Sequence, residues 1–250
     1  MENLLINILL SVLMGIIIFI ILLRKRVLKA EEILIPMIAG LCAVFPASLI
    51  EYALSVKTGY ITGLLKTFVN AFIIASFIEE TAKFLVIKAL FHIKKINNLK
   101  DGIATAVAVG TGFACLENIM YSFDSSIAVM FRVFTAMPIH IITAGIIGYF
   151  AVKPVRTDKF DKADRIDWAN RSVNSDKADW ADTPEKIVAP QRYMPFRGFA
   201  EAVFIHGFYN LLISLKNFIS ILSLPLLLWA GYRLYKLSKN AVKEKQQPDK

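Results

Sequence analysis

The chain has 250 residues, 56% of them hydrophobic, with a mean hydropathy of +0.55 and a formal net charge of +9. Soluble domains average about 45 to 50% apolar residues, so this composition excludes an ordinary water-soluble domain and points to a membrane protein. The two cysteines, Cys42 and Cys115, both fall within apolar stretches, which excludes a disulfide framework and a thiolate metal cage.

A membrane-crossing helix needs roughly 20 mostly apolar residues, and seven such stretches are predicted. The first, 3–23, follows Glu2 rather than a basic segment, lacks a small-residue cleavage site and is followed by Arg24, Lys25, Arg26 and Lys29. It is therefore predicted as a span and not a signal peptide. The second covers 33–54. The third, 67–91, carries Glu79, Glu80 and Lys83 at its middle, and the fourth, 102–122, carries Glu117 and Asn118 in its outer half. The fifth, 127–151, has Arg132 near its outer end, and Pro138 and His140 near its middle. The segment 152–198 is polar, with two related stretches, DKADRIDWA at 161–169 and DKADWAD at 176–182, and two tryptophans, Trp168 and Trp180. It is predicted as a mobile cytoplasmic loop between the fifth and sixth spans. The sixth, 199–215, holds His206 and Asn210 at its middle, and the seventh covers 218–237.

Taken alternately, the loops on one side and the C-terminal tail contain 23 basic residues, whereas the loops on the other side contain only Lys57, Lys66 and Lys216. Because basic loops stay cytoplasmic, the N-terminus is expected outside and the C-terminus in the cytoplasm, which requires an odd number of spans. The expected architecture is thus all-α: a polytopic transmembrane helix bundle of about seven spans, with 1–250 forming a single membrane domain in the cell membrane. Topology and attraction to anionic lipid account for the positive charge, so the lipid bilayer is an expected partner and nucleic acid is not.

A charged side chain near the bilayer centre costs about 2.5 to 3.5 kcal/mol even on a lenient insertion scale, so such residues mark function by default. Glu79 and Lys83 lie four apart and share a helical face, as do His206 and Asn210, while Phe113, Glu117 and Tyr121 form one stripe. An internal ion pair in EETAK needs one carboxylate, which leaves the other for chemistry. Asn118 has interhelical hydrogen bonding as its plainer role. Arg132 can snorkel outward or pair with Glu117 at similar depth. His140 and His206 lie at matched depth, whereas His92, beside Lys94 and Lys95 at a span end, is left outside the site. Gly110 and Gly112 are expected to permit close helix approach.

Peptide hydrolysis needs an activated water, a group to stabilise the oxyanion and a proton donor for the leaving amine. Buried Glu and His residues supply the first and third, and His206 with Asn210 can donate to the oxyanion. No motif sets a serine beside these histidines, and Cys115 points about 160° away from Glu117 around the helix, so serine and cysteine mechanisms are disfavoured. Two mechanisms stay open. In one, Glu79 with a histidine activates water directly. In the other, Glu79, Glu117, His140 and His206 hold one divalent metal such as zinc, although no HExxH spacing is present.

Four ordered segments, EETAK at 79–83, DGIATAVAVGTGFACLENIMY at 101–121, PIHIITAGIIGY at 138–149 and HGFYN at 206–210, resemble the PrsW family of intramembrane peptidases. That family lies within the wider superfamily of CAAX prenyl proteases and bacteriocin-immunity-type membrane proteases. The resemblance covers about residues 35–215. It implies a bundle of eight helices or fewer around a membrane-embedded cavity, with Glu79, Glu80, Glu117, His140 and His206 essential. By analogy with the CAAX proteases, Glu79 would activate water, Glu80 would pair with Lys83, and His206 with Asn210 would hold the oxyanion. Those relatives carry a His where this chain has Glu117, and Phe77 stands where the family often has a proline, which leaves the local helix shape open. The implied role is cleavage of a membrane-anchored protein, such as an anti-sigma factor. The alternatives are a non-catalytic scaffold of the same fold and a proton-coupled transporter; the latter predicts internal repeats, and none is found across the spans.

Overall fold

The structure is a computed structural model in which residues 2–25, 28–123, 131–152, 154–155, 192–193, 195–215 and 218–245 are described. It is helical apart from one two-residue antiparallel pairing, β1 (Pro154–Val155) with β2 (Arg192–Tyr193). The helices are α1 (Glu2–Arg24), α2 (Ala30–Lys57), α3 (Gly63–Phe68), α4 (Phe77–Ile93), α5 (Leu99–Tyr121), α6 (Ala136–Val152), α7 (Pro195–Ser214) and α8 (Ser223–Lys245). A π-helical segment, Val69–Ser76, joins α3 to α4, and a 3-10 turn, Phe218–Leu222, precedes α8. Trp168, Trp180 and both stretches of the 161–182 repeat lie outside the described residues.

Among the described residues, five stretches are long and apolar enough to cross a membrane: Leu4–Arg24, Ala30–Lys57, Leu99–Tyr121, Phe131–Val152 and Phe218–Val242. The third and sixth expected spans form helices but fall short of that measure. Gly63–Ile93 contains Lys66, Glu79, Glu80, Lys83 and Lys88, and α7 contains Arg197, Glu201, His206 and Asn210. The polar side chains that single these helices out also depress their hydropathy.

α5 is the hub, packing against α1, α2, α4, α6 and α8. Its glycines bring neighbouring backbones into direct contact. A Cβ on Gly112 would lie 1.8 Å from the Met37 carbonyl oxygen of α2, and one on Gly40 would lie 2.0 Å from the Val109 carbonyl oxygen of α5. On the opposite face, a Cβ on Gly110 would lie 2.6 Å from the His140 carbonyl oxygen of α6. These approaches draw the helix with Glu117 and the helix with His140 together, as the close approach expected at Gly110 and Gly112 requires.

Two irregularities shape the site. Pro138 lacks an N–H and so leaves the Phe134 carbonyl without its helical partner; the helix is interrupted at Thr135, and α6 begins at Ala136. Before the EETAK motif, the Phe77 N–H reaches back five residues to the Phe72 carbonyl. π-helical turns of this kind gather at functional sites. The helix shape left open at Phe77 is therefore a π-to-α junction two residues before Glu79.

Gly112→Ala is expected to destabilise the bundle by about 2 kcal/mol or more, because a backbone carbonyl cannot move aside as a flexible side chain can. Gly231→Ala, whose Cβ would meet nothing nearer than 3.8 Å, is expected to be neutral or slightly stabilising. Thermal melts of the two purified variants in detergent check the contrast.

Candidate active site and metal centre

The polar residues of α4, α5, α6 and α7 converge. Glu79, Glu80 and Lys83 on α4, His140 on α6 and His206 on α7 are all buried. Glu80 anchors the cluster: its Oε1 accepts from Lys83 Nζ at 2.6 Å, His206 Nδ1 at 2.8 Å and Thr143 Oγ1 at 3.0 Å. Lys83 thus pairs with the carboxylate three residues before it, as the resemblance implied, and not with Glu79. Its ammonium also donates to His140 Nδ1 at 3.1 Å and lies 5.0 Å from the centroid of the Phe113 ring.

Each histidine has one ring nitrogen engaged by a carboxylate. His206 Nδ1 donates to Glu80, and His140 Nε2 contacts Glu117 Oε2. The other nitrogens turn toward Glu79 Oε2, His140 Nδ1 at 3.5 Å and His206 Nε2 at 3.9 Å. The two rings meet edge to face with centroids 4.7 Å apart. Glu79 Oε2 is buried and accepts no hydrogen bond among the described residues.

Glu117 is held on its other side by Arg132, whose guanidinium donates to Oε1 at 2.6 Å and stacks on Tyr121 at 3.7 Å from its centroid. Pairing with Glu117, one of the two roles open to Arg132, is the one observed. Asn118 faces away from this cluster and donates to Ser11 Oγ of α1 at 2.6 Å. It is buried as an interhelical contact. Asn210 is half-buried one turn after His206 and makes no hydrogen bond among the described residues. His92 is exposed, away from the cluster.

A cavity of about 430 Å³ opens beside the cluster, lined by Glu79 and Glu117 together with Glu51, Ser48, Phe113 and Tyr121. Glu51 escaped the sequence reading because it sits in the last two turns of α2, where a carboxylate reads as interfacial. Its depth, level with Glu117 near the same membrane face, was the available signal. Thr143 was equally hidden, being an unremarkable residue of an apolar helix three positions after His140.

The residues fit a metal. One ligand atom from each of Glu79, His140 and His206 lies within 4.8 Å of the others, and a carboxylate behind each imidazole is the arrangement that orients metal-binding histidines.

A buried Glu/His/His set that could hold a metal, beside a polar cavity within a bundle of apolar helices, suits the class of membrane-embedded metal-dependent hydrolases. The family model for PrsW family intramembrane metalloproteases matches residues 29–173, and the chain belongs to that family. Protease PrsW of Oceanobacillus iheyensis is 25% identical over 211 residues, covering 82% of each chain. Protease PrsW of Geobacillus kaustophilus is 25% identical over 215 residues, 84% of this chain and 80% of the relative. That of Bacillus subtilis is 29% identical over 136 residues, 54% and 59% of the respective chains. No solved structure matches. The chain is an intramembrane protease, as its resemblance implied.

Asn118→Ala is expected to lower stability by about 1 kcal/mol, the scale of an interhelical hydrogen bond in a membrane, while leaving the cleavage rate per folded molecule unchanged. Thermal melts paired with a cleavage assay on the same preparation check both halves.

Proposed function

We propose that the protein cleaves a single-span, membrane-anchored protein within the cell membrane, using one zinc ion held by Glu79, His140 and His206. The observation that carries this reading is the convergence of one nitrogen from each histidine on the unpartnered oxygen of Glu79, with a carboxylate behind each ring. A His and carboxylate set suits zinc. Bound there, the ion would polarise the scissile carbonyl and acidify a water.

The chain's own residues supply the rest. Glu80 fixes the His206 tautomer that leaves Nε2 free, and Lys83 holds Glu80 in place. The Glu117 carboxylate lies against His140 Nε2 and, with Arg132 behind it, stands at the cavity wall. Glu117 and Glu51 face the space where a substrate backbone would lie, so proton transfer from the water to the leaving amine falls to them. Asn210, unbonded and one turn from His206, is the donor assigned to the oxyanion. Glu117 acts in this scheme from behind His140, not as a direct ligand. A substrate that is itself a span, such as an anti-sigma factor, would present its peptide bond at this depth.

Seven crossings, with the N-terminus outside and the C-terminus in the cytoplasm, accommodate these elements: each polar helix, Gly63–Ile93 and α7, crosses once among the five apolar ones. The cavity lies toward the ends of α2 and α5, which this topology assigns to the outer face, so water enters from outside. Residues 152–198 then form a cytoplasmic loop of one membrane domain.

Purified in lipid and given single-span reporters, the protein is expected to cleave them, to lose activity to a chelator and to regain it with zinc. Glu79→Gln and His206→Ala are expected to abolish cleavage and bound zinc together, whereas Glu80→Gln reduces zinc affinity by about 10 to 100-fold. Cleavage persisting in both ligand variants would sink the assignment. For the topology, Tyr52→Cys in a cysteine-free background is expected to react with an impermeant maleimide added to intact cells. Reaction only after the membrane is opened reverses the orientation.

A further inference from the structure

A second cavity, of about 410 Å³, lies far from the carboxylates, between α1, α5 and α8. Its walls are apolar, with Leu22, Ala104 and Val107 among them. Val107 stands about 10 Å deeper along α5 than Lys100, at 1.5 Å per residue. The mouth is ringed by three lysines: Lys25 just after α1, Lys100 opening α5 and Lys239 in the last turns of α8. Among the described residues no acidic side chain lines this cavity, and none of the three lysines has an acidic partner. Lys25 and Lys239 are exposed and Lys100 is half-buried.

An apolar slot between spans, open at one membrane face beneath three unneutralised ammonium groups, has the shape and charge of a lipid. We propose that this slot binds one anionic phospholipid, its phosphate among Lys25, Lys100 and Lys239 and an acyl chain along Leu22 and Val107. Charge complementarity chooses the occupant, since a zwitterionic lipid brings its own ammonium toward the lysines and a protein helix is too wide for a gap of this volume. Basic pockets between spans are a recurrent form of headgroup recognition. The bound lipid would connect α8 to α1, which have no substantial packing contact in the fold.

Native mass spectrometry of the delipidated full chain tests this, with phosphatidylglycerol or phosphatidylcholine of identical acyl chains added to the detergent. The expected result is one phosphatidylglycerol retained under activation that strips phosphatidylcholine. Each lysine contact is worth about fivefold, so the triple variant K25Q/K100Q/K239Q is expected to lose on the order of a hundredfold in affinity. A control triple on the same membrane face, K29Q/K94Q/K95Q, is expected to retain the lipid as the wild type does. Equal retention of the two lipids, undiminished binding by the first triple variant, or equal loss in the control would each overturn the proposal. Displacement by millimolar inorganic phosphate would also overturn it, by showing a free phosphate site in place of a lipid one.

Discussion

The site depends on how one charge is kept inside a membrane. Glu80 is fully buried, and desolvating a carboxylate is so costly that it must be compensated on the spot. Lys83, His206 and Thr143 all donate to the same oxygen. Because these three donors come from α4, α7 and α6, satisfying Glu80 fixes the relative rotation of three helices. That rotation in turn aims the second ring nitrogen of each histidine at Glu79. Burying this one carboxylate thus brings Glu79, His140 and His206 together.

Much of this was legible in the residues. Apolar stretches marked the helices, and charged side chains inside them marked the site, since the insertion penalty leaves little other reason for Glu79, Glu80, Glu117, His140 and His206 to be there. The pairing within EETAK was less accessible: helical spacing permits Lys83 to reach either carboxylate, and only the packing of His206 and Thr143 favours Glu80. Asn118 and Glu117 are neighbours in sequence, yet consecutive helical side chains diverge by about 100°, so one faces α1 and the other faces the histidines. Glu51 was missed because a carboxylate near a span end reads as interfacial, and only its match in depth with Glu117 hinted at a shared cavity.

The glycines of α5 explain why the bundle can hold so many polar groups without loosening. Gly112 meets α2 and Gly110 meets α6 backbone to backbone, and neither contact relies on side chains that could repack. The close crossings set the distance from Glu117 to His140, so the geometry of the cluster is carried by main chain atoms and the side chains need only small adjustments.

The π-helical stretch before α4 has a consequence for how this segment is to be drawn. Each π turn holds roughly one more residue than an α turn, so everything before Val69 is rotated relative to a continuous α-helix. Phe68 stacks on Phe72 with centroids 4.7 Å apart, and the Phe72 ring lies against Gly207, adjacent to His206. A helical wheel advanced by a constant 100° per residue through 63–93 would describe the face shared by Glu79 and Lys83 correctly and misplace the aromatic residues that precede them. Any alignment or design built on that uniform periodicity carries a phase error, and the error begins just before Glu79.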